Sequence, residues 1–388
     1  MNPRVLATPG SIIREVAAKR RASSIDLGLG EPTLRPNMAH FEAAMRHIAE
    51  HGAKYTLNAG DPQLRQAIAA HYRYPGMEKA ENVCVTTGSQ EAMYATLMTL
   101  LDPARDDLLI VGPAFPSYAK MAALNGAASR SVAMLEQDGF AFEAERILAA
   151  IGEATRAIVL CSPCNPTGRV LSTEQASLLV RGLQRRPGPP VWLIHDEIYR
   201  EQTFVDDAAE LARTYPQTIV TNSLSKSNAL TGLRLGWILG PERFVEQAIK
   251  AHAWVTSCAD TFAQQVAIDV FASPGGVREQ AEWYARQREA VVSALESSGM
   301  RFVAPEGAFY ACVRLPDGRG SLDAANELID RHDVLAIPGI AFGQALEGWL
   351  RLSWVAPADR VAEGIARIAR YCASFSSAAG SARASQPG

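Results

Sequence analysis

The sequence has no long apolar run. Nothing in it approaches the ~20 consecutive apolar residues that a bilayer-spanning helix needs. The opening, MNPRVLATPGSIIREVAAKRR, lacks the apolar centre of a secretory signal, so the cytoplasm is the expected compartment. A basic excess is also missing. Lys and Arg number 38 against 41 Asp and Glu, for a net charge of −3, which leaves no field that would gather nucleic acid. Cysteine is sparse, with 6 in 388 residues, and without an export signal these are read as free thiols. Cys161 and Cys164 have CxxC spacing, but no second pair or nearby His set completes a closed zinc site. No metal is expected, and no internal repeat is visible.

What is present is an ordinary globular composition, 48% hydrophobic and 20% charged, on a chain long enough for about two domains. From about 80 to 240 strand-like and helix-like segments alternate. NVCVTT, DLLIVG, RAIVLCS, PVWLIHDEI and QTIVTNS are apolar runs of strand length. SQEAMYATLMTLL and PSYAKMAALNG read as helices, the second stopped by Gly126. This alternation predicts an α/β fold, a mostly parallel sheet flanked by helices. Ligands of such sheets sit at the carboxyl ends of the strands. From about 283 the pattern changes to helices mixed with short antiparallel strands, a smaller α+β domain. The expected organisation is an N-terminal arm (1–40) contributing to the small domain, a large domain (41–282), a small domain (283–375) and a disordered, small-residue polar tail (376–388).

The chemistry gathers after the strands. SLSKSNALTGLRLG, residues 223–236, follows QTIVTN and puts Ser223, Ser225, Lys226 and Arg234 close together. Hydroxyls and a guanidinium suit a phosphate, and a lysine beside such a site can form a Schiff base when its amine is partly deprotonated. A solvated loop with an ordinary surface lysine is the alternative. The Ser-x-x-Lys spacing, with an Arg eight residues beyond the lysine and then Leu-Gly, resembles the lysine signature of the class I/II, fold-type I, aminotransferases that depend on pyridoxal 5′-phosphate (PLP). Other segments match that family in the same order, from about residue 5 to residue 373.

The resemblance implies a role for each matching residue. Lys226 is the Schiff-base lysine and general base. Ser223, Ser225 and Arg234 hold the cofactor phosphate, together with the turn Gly88, Ser89 and Gln90 of TTGSQEA at a helix start. Phe115 of PAFPSY stacks on the pyridine ring. Asn165, in the Asn-Pro-Thr-Gly loop, donates to the ring's phenolic oxygen and borders the substrate. Asp196 of HDEIY pairs with the pyridine nitrogen so that the ring accepts electrons, and Tyr199 bonds the phenolic oxygen. His195 reads as a packed strand-end residue. Arg351 of RLSWVAP grips the substrate α-carboxylate, and the backbone N–H of Gly30 in LGLGEP meets the same group. Tyr55 of KYTLNAG reaches the partner's cofactor, which implies a homodimer with shared active sites.

The implied activity is ping-pong transfer of an amino group between an L-amino acid and a 2-oxo acid, with no nucleic acid or membrane partner. A carbon–sulfur lyase or other elimination enzyme would share every cofactor residue. A ligand-sensing module on the same scaffold would carry an N-terminal DNA-binding domain, which is not seen here. The stretch WVTSCADTFAQQ offers Asp260 and no Arg or Lys. That disfavours aspartate as the dedicated substrate and leaves neutral, aromatic or basic side chains open.

Overall fold

The computed structural model describes residues 1–273 and 275–384. The arm carries a two-residue strand, β1 (Ile25–Asp26). Seven strands then form the central sheet: β2 (Val83–Thr86), β3 (Asp107–Gly112), β4 (Ala128–Ala133), β5 (Thr155–Cys161), β6 (Trp192–Asp196), β7 (Thr218–Ser223) and β8 (Gly236–Leu239), in the order β2-β8-β7-β6-β5-β3-β4. The strands β4, β3, β5, β6 and β7 run parallel, and only β8 runs against its neighbours β2 and β7.

Burial on both faces explains why the central strands read as unbroken apolar runs. In β3, Leu108 and Ile110 join one core cluster while Leu109 and Val111 join another. The same split holds for Ala157 and Val159 against Ile158 and Leu160 in β5. Successive side chains of a strand point to opposite faces, so each such run feeds two cores. Each fully buried Leu or Ile contributes about 1.5–3 kcal/mol. The edge strand β4 reads ASRSVA and is mostly solvent-facing, which is why it carries no apolar signal.

The second unit is built from β9 (Phe302–Val303), β10 (Tyr310–Arg314), β12 (Ile337–Pro338) and β13 (Trp349–Ser353), antiparallel in the order β12-β13-β10-β9. Helices Gly275–Ser297, Ser321–His332 and Ala358–Ala384 accompany it. The last helix extends into the stretch expected to be unstructured from 376; the side chains there, and residues 385–388, lie outside the described residues. The strand β1 pairs parallel with β11 (Val334–Leu335), and Ser353 donates its N–H to Leu27 O at 2.7 Å. That pairing carries Gly28–Glu31 to the mouth between the two units. Among the described residues, no helix is long and apolar enough to cross a membrane.

Candidate active site

Three parallel strands end side by side at Cys161, Asp196 and Ser223. The chain beyond each one supplies Asn165, Tyr199 and Lys226 in turn. These residues border a cavity of about 600 Å3 between the sheet, the arm and β13. Of the residues singled out from the sequence, Gly30, Ser89, Gln90, Phe115, Asn165, Asp196, Tyr199, Ser225, Lys226, Arg234 and Arg351 all line it.

Lys226 sits on the single-turn helix Leu224–Ser227. Its Nζ donates to the Gly30 carbonyl at 2.6 Å. Burial, then the charge of Arg351, push the amine down to about 8, against a smaller opposing pull from Glu31. An amine near neutrality of charge is what nucleophilic and proton-transfer work needs.

Asp196 lies deep at the end of β6. Tyr118 donates its hydroxyl to Asp196 Oδ2 at 2.6 Å, and the Ile198 N–H reaches Oδ1 at 3.3 Å. Burial pushes the carboxyl up to about 6, with the Tyr118 hydrogen bond opposing. Tyr199 is buried with its hydroxyl 3.0 Å from that of Tyr310. His195 is buried on the strand, with Nδ1 3.0 Å from Glu197 Oε1.

Arg351 is 3% exposed. It donates from Nη1 to Asn165 Oδ1 at 2.9 Å and from Nη2 to the Gly28 carbonyl. Its guanidinium lies 4.3 Å from the Tyr310 ring centroid, and its Nε has no partner. Among the described residues no carboxylate pairs with it. A buried guanidinium without a counter-ion is costly, and an anionic ligand in the cavity would remove that cost. With its Oδ1 committed to Arg351, Asn165 keeps its NH2 for donation.

At the opposite end, the helix Gly88–Leu100 points its N-terminus at the cavity, where backbone N–H groups and the helix dipole favour an anion. Gly88 itself does not line the cavity, and its role is to make room. Its φ is +79°, and a Cβ there would meet Arg234 Nη2 at 2.7 Å. Arg234 adopts a left-handed backbone conformation, and its Nη1 donates to the Thr231 carbonyl at 2.9 Å. Ser223 also stands behind the wall; its buried Oγ accepts from the Ser225 N–H at 3.1 Å. Tyr55 is 88% exposed and outside the cavity.

Sequence reasoning passed over several lining residues. Tyr118 closes the PAFPSY segment, whose Phe115 was the only residue assigned. Tyr310 opens β10, and nothing in the local sequence marks it as a site residue. Arg14, Glu31 and Lys120 have no local pattern that marks them.

The arrangement fits PLP. The helix N-terminus, Ser225 and Arg234 suit a phosphate dianion, and the glycine cradle at Gly88 leaves it room. Asp196 offers an acceptor for a pyridine nitrogen, Asn165 and Tyr199 suit a phenolic oxygen, and Lys226 carries a reactive amine. The volume is within the ordinary range for ligand cavities.

Comparison with known proteins agrees. Residues 22–368 match the family model described as aminotransferase class I and II. The chain is 32% identical over 381 residues to an aspartate aminotransferase of Pyrococcus horikoshii, covering 94% of this chain and 95% of that one. It is 31% identical to an arginine–pyruvate transaminase of Pseudomonas aeruginosa, covering 88% of each. The solved aspartate aminotransferase of Thermus thermophilus with maleate superposes with a TM-score of 0.88 at 29% identity, over 95% of this chain and 99% of that one. The chain therefore belongs to the class I and II aminotransferases, and it is a PLP-dependent transaminase.

Proposed function

We propose that the enzyme moves an amino group from an L-amino acid to a 2-oxo acid in two half-reactions, with Lys226 as the base and Arg351 as the α-carboxylate site. The observation that carries this reading is the juxtaposition of a buried, counter-ion-free Arg351 with a lysine amine lowered to about 8.

When bound, PLP supplies an electron sink for the pair left at the substrate Cα. Every other step belongs to the chain. Arg351 and the Gly30 N–H fix the α-carboxylate, which sets the Cα–H bond toward Lys226. The Lys226 amine would take the proton from the substrate Cα and deliver it to the adjoining cofactor carbon instead of back to Cα, a service worth roughly 10²–10⁴-fold. Asp196 keeps the pyridine nitrogen protonated, and Tyr118 keeps Asp196 ionised and in place. Asn165 and Tyr199 hold the phenolic oxygen. Ser225, Arg234, Ser89 and Gln90 anchor the phosphate, with Gly88 leaving room for Arg234 and Ser223 bracing Ser225.

A homodimer completes the site. Tyr55, Leu57, Trp254 and Val255 are exposed apolar side chains on two segments tied by the Asn58 Nδ2 to Ser257 O hydrogen bond at 2.7 Å. Such a patch favours a protein partner, and a second copy would place Tyr55 at its phosphate. The cytoplasm is the compartment proposed.

The test is the visible absorbance of the purified protein with PLP during titration with amino acids. A band that bleaches with an amino acid and returns with a 2-oxo acid supports the two half-reactions. A band that no donor bleaches counts against them.

A further inference from the structure

Glu91 follows the phosphate turn directly, in the first turn of the helix Gly88–Leu100. Its two carboxylate oxygens have separate partners. Oε2 accepts the Thr87 N–H at 2.5 Å, and Oε1 lies 2.6 Å from His252 Nδ1. A carboxylate only accepts, so Nδ1 carries the proton. His252 comes from the helix Glu242–Thr256, 161 positions away in sequence. Its ring is fully buried and its Nε2 has no partner, so among the described residues Glu91 is the ring's one polar contact.

We propose that Glu91 and His252 are positioning residues for the cofactor phosphate. His252 fixes the Glu91 carboxylate, and the carboxylate holds the Thr87 N–H, so that the N–H groups of Ser89 and Gln90 stay open to the anion. This rests on the reading of the turn as the phosphate site and deepens it.

The geometry supports the assignment in three ways. First, the turn is left without an ordinary cap. The first four N–H groups of a helix have no partner inside it, and an N-cap threonine commonly turns its hydroxyl onto one of them. Thr87 occupies the N-cap position and makes no such bond. Its hydroxyl stands 3.5 Å from that of Thr256, at the end of the His252 helix, instead.

Second, the pair keeps a negative charge off the anion site. The helix dipole draws a first-turn carboxylate toward the free N–H groups, where it would compete with a phosphate. With Oε1 tied to His252 and Oε2 tied to Thr87, ahead of the helix, the Glu91 carboxylate is held away from them. Loss of the His252 bond releases Oε1.

Third, the turn has no slack. A Cβ on Gly236 of β8 would stand 2.6 Å from Ser89 N, and a Cβ on Gly88 would stand 2.7 Å from Arg234 Nη2. The turn is thus bounded by β8 and by Arg234, with less than a methyl group of room at either. A shift at Thr87 therefore passes to Ser89 and to the guanidinium proposed for the phosphate.

The experiment titrates the cofactor-free protein with PLP and with pyridoxal, which presents the same ring without the phosphate. The ratio of the two Kd values reads the phosphate contacts alone. Wild type, His252→Leu, His252→Asn, Glu91→Ala and the double variant His252→Leu/Glu91→Ala are compared. The wild type should favour PLP by roughly 100-fold or more. That preference should fall about 3- to 10-fold in His252→Leu, the loss of one hydrogen bond. It should recover in His252→Asn, whose amide nitrogen stands near the place of Nδ1. Glu91→Ala should lose at least as much as His252→Leu, and the double variant no more than Glu91→Ala, because His252 acts through Glu91. Should His252→Leu not fold, His252→Phe keeps a ring, removes the bond and replaces it in the comparison. Equal weakening of PLP and pyridoxal, an unmoved preference, or losses that add in the double variant overturn the positioning role and leave the phosphate turn standing. A wild type that binds pyridoxal as tightly as PLP overturns the phosphate turn itself, and the positioning role with it.

Discussion

The Tyr118 hydroxyl donates to Asp196 Oδ2 at 2.6 Å, with both residues buried. That bond stabilises the ionised carboxylate against the burial that pushes its pKa up to about 6. Hydrogen bonds to charged groups contribute about 1.5–3 kcal/mol. Tyr118→Phe removes a force that lowers the Asp196 pKa, so the pKa rises. Activity then fails at a higher pH on the acid side. The expected result is a roughly 2- to 15-fold lower kcat/KM at about pH 7, with the acid limb of the pH profile displaced upward. An acid limb that stays in place would remove Tyr118 from this role.

Capture of PLP by the cofactor-free protein reports on Lys226. The amine reacts when unprotonated, and burial with Arg351 nearby brings it down to about 8. The rate of band formation should rise with pH up to about 8 and level off above it. Arg351→Met deletes a neighbouring cation, so the amine's pKa goes up and the plateau moves to higher pH. A rate that continues to climb through pH 10 in the wild type would show an ordinary lysine.

Gly88 is predicted to be intolerant of a side chain. Its φ of +79° and the 2.7 Å approach of Arg234 both oppose a Cβ, and left-handed backbone alone costs about 1–2 kcal/mol for an L residue. Gly88→Ala should weaken PLP binding about tenfold or more, read by fluorescence titration, because the displaced guanidinium is the one proposed for the phosphate. Unaltered affinity would mean that Arg234 does not need this position.

How much of this was legible in the sequence follows from where each signal resides. HDEIY and SLSKSNAL each follow an apolar strand, so the strand's end and the polar residues after it are read together. The strand β4 was not legible because an edge strand needs no apolar run. The short β8, GWIL, directly follows the lysine signature, and nothing local says that it runs antiparallel. Arg14 and Glu31 were invisible as site residues because the fold alone brings them in. Lys226 meets the Gly30 carbonyl across 196 positions of sequence, and the β1–β11 pairing together with the bonds from β13 to Leu27 and Gly28 carries the arm there.

The proposed dimer puts Trp254, 93% exposed, against a second copy. Trp254→Glu should shift the protein from dimer to monomer in sedimentation or light scattering, with loss of PLP affinity because Tyr55 no longer reaches a partner's phosphate. A wild type that is monomeric at the concentrations of assay would contradict the shared site.

The central claim is that Lys226 holds PLP and passes the substrate's proton. Its most direct test is the visible spectrum of wild type and Lys226→Ala with PLP, before and after glutamate is added. The account predicts a band in the wild type that bleaches with glutamate and returns with 2-oxoglutarate, and no lysine-dependent band or turnover in Lys226→Ala. The same band and the same bleaching in both proteins would contradict it.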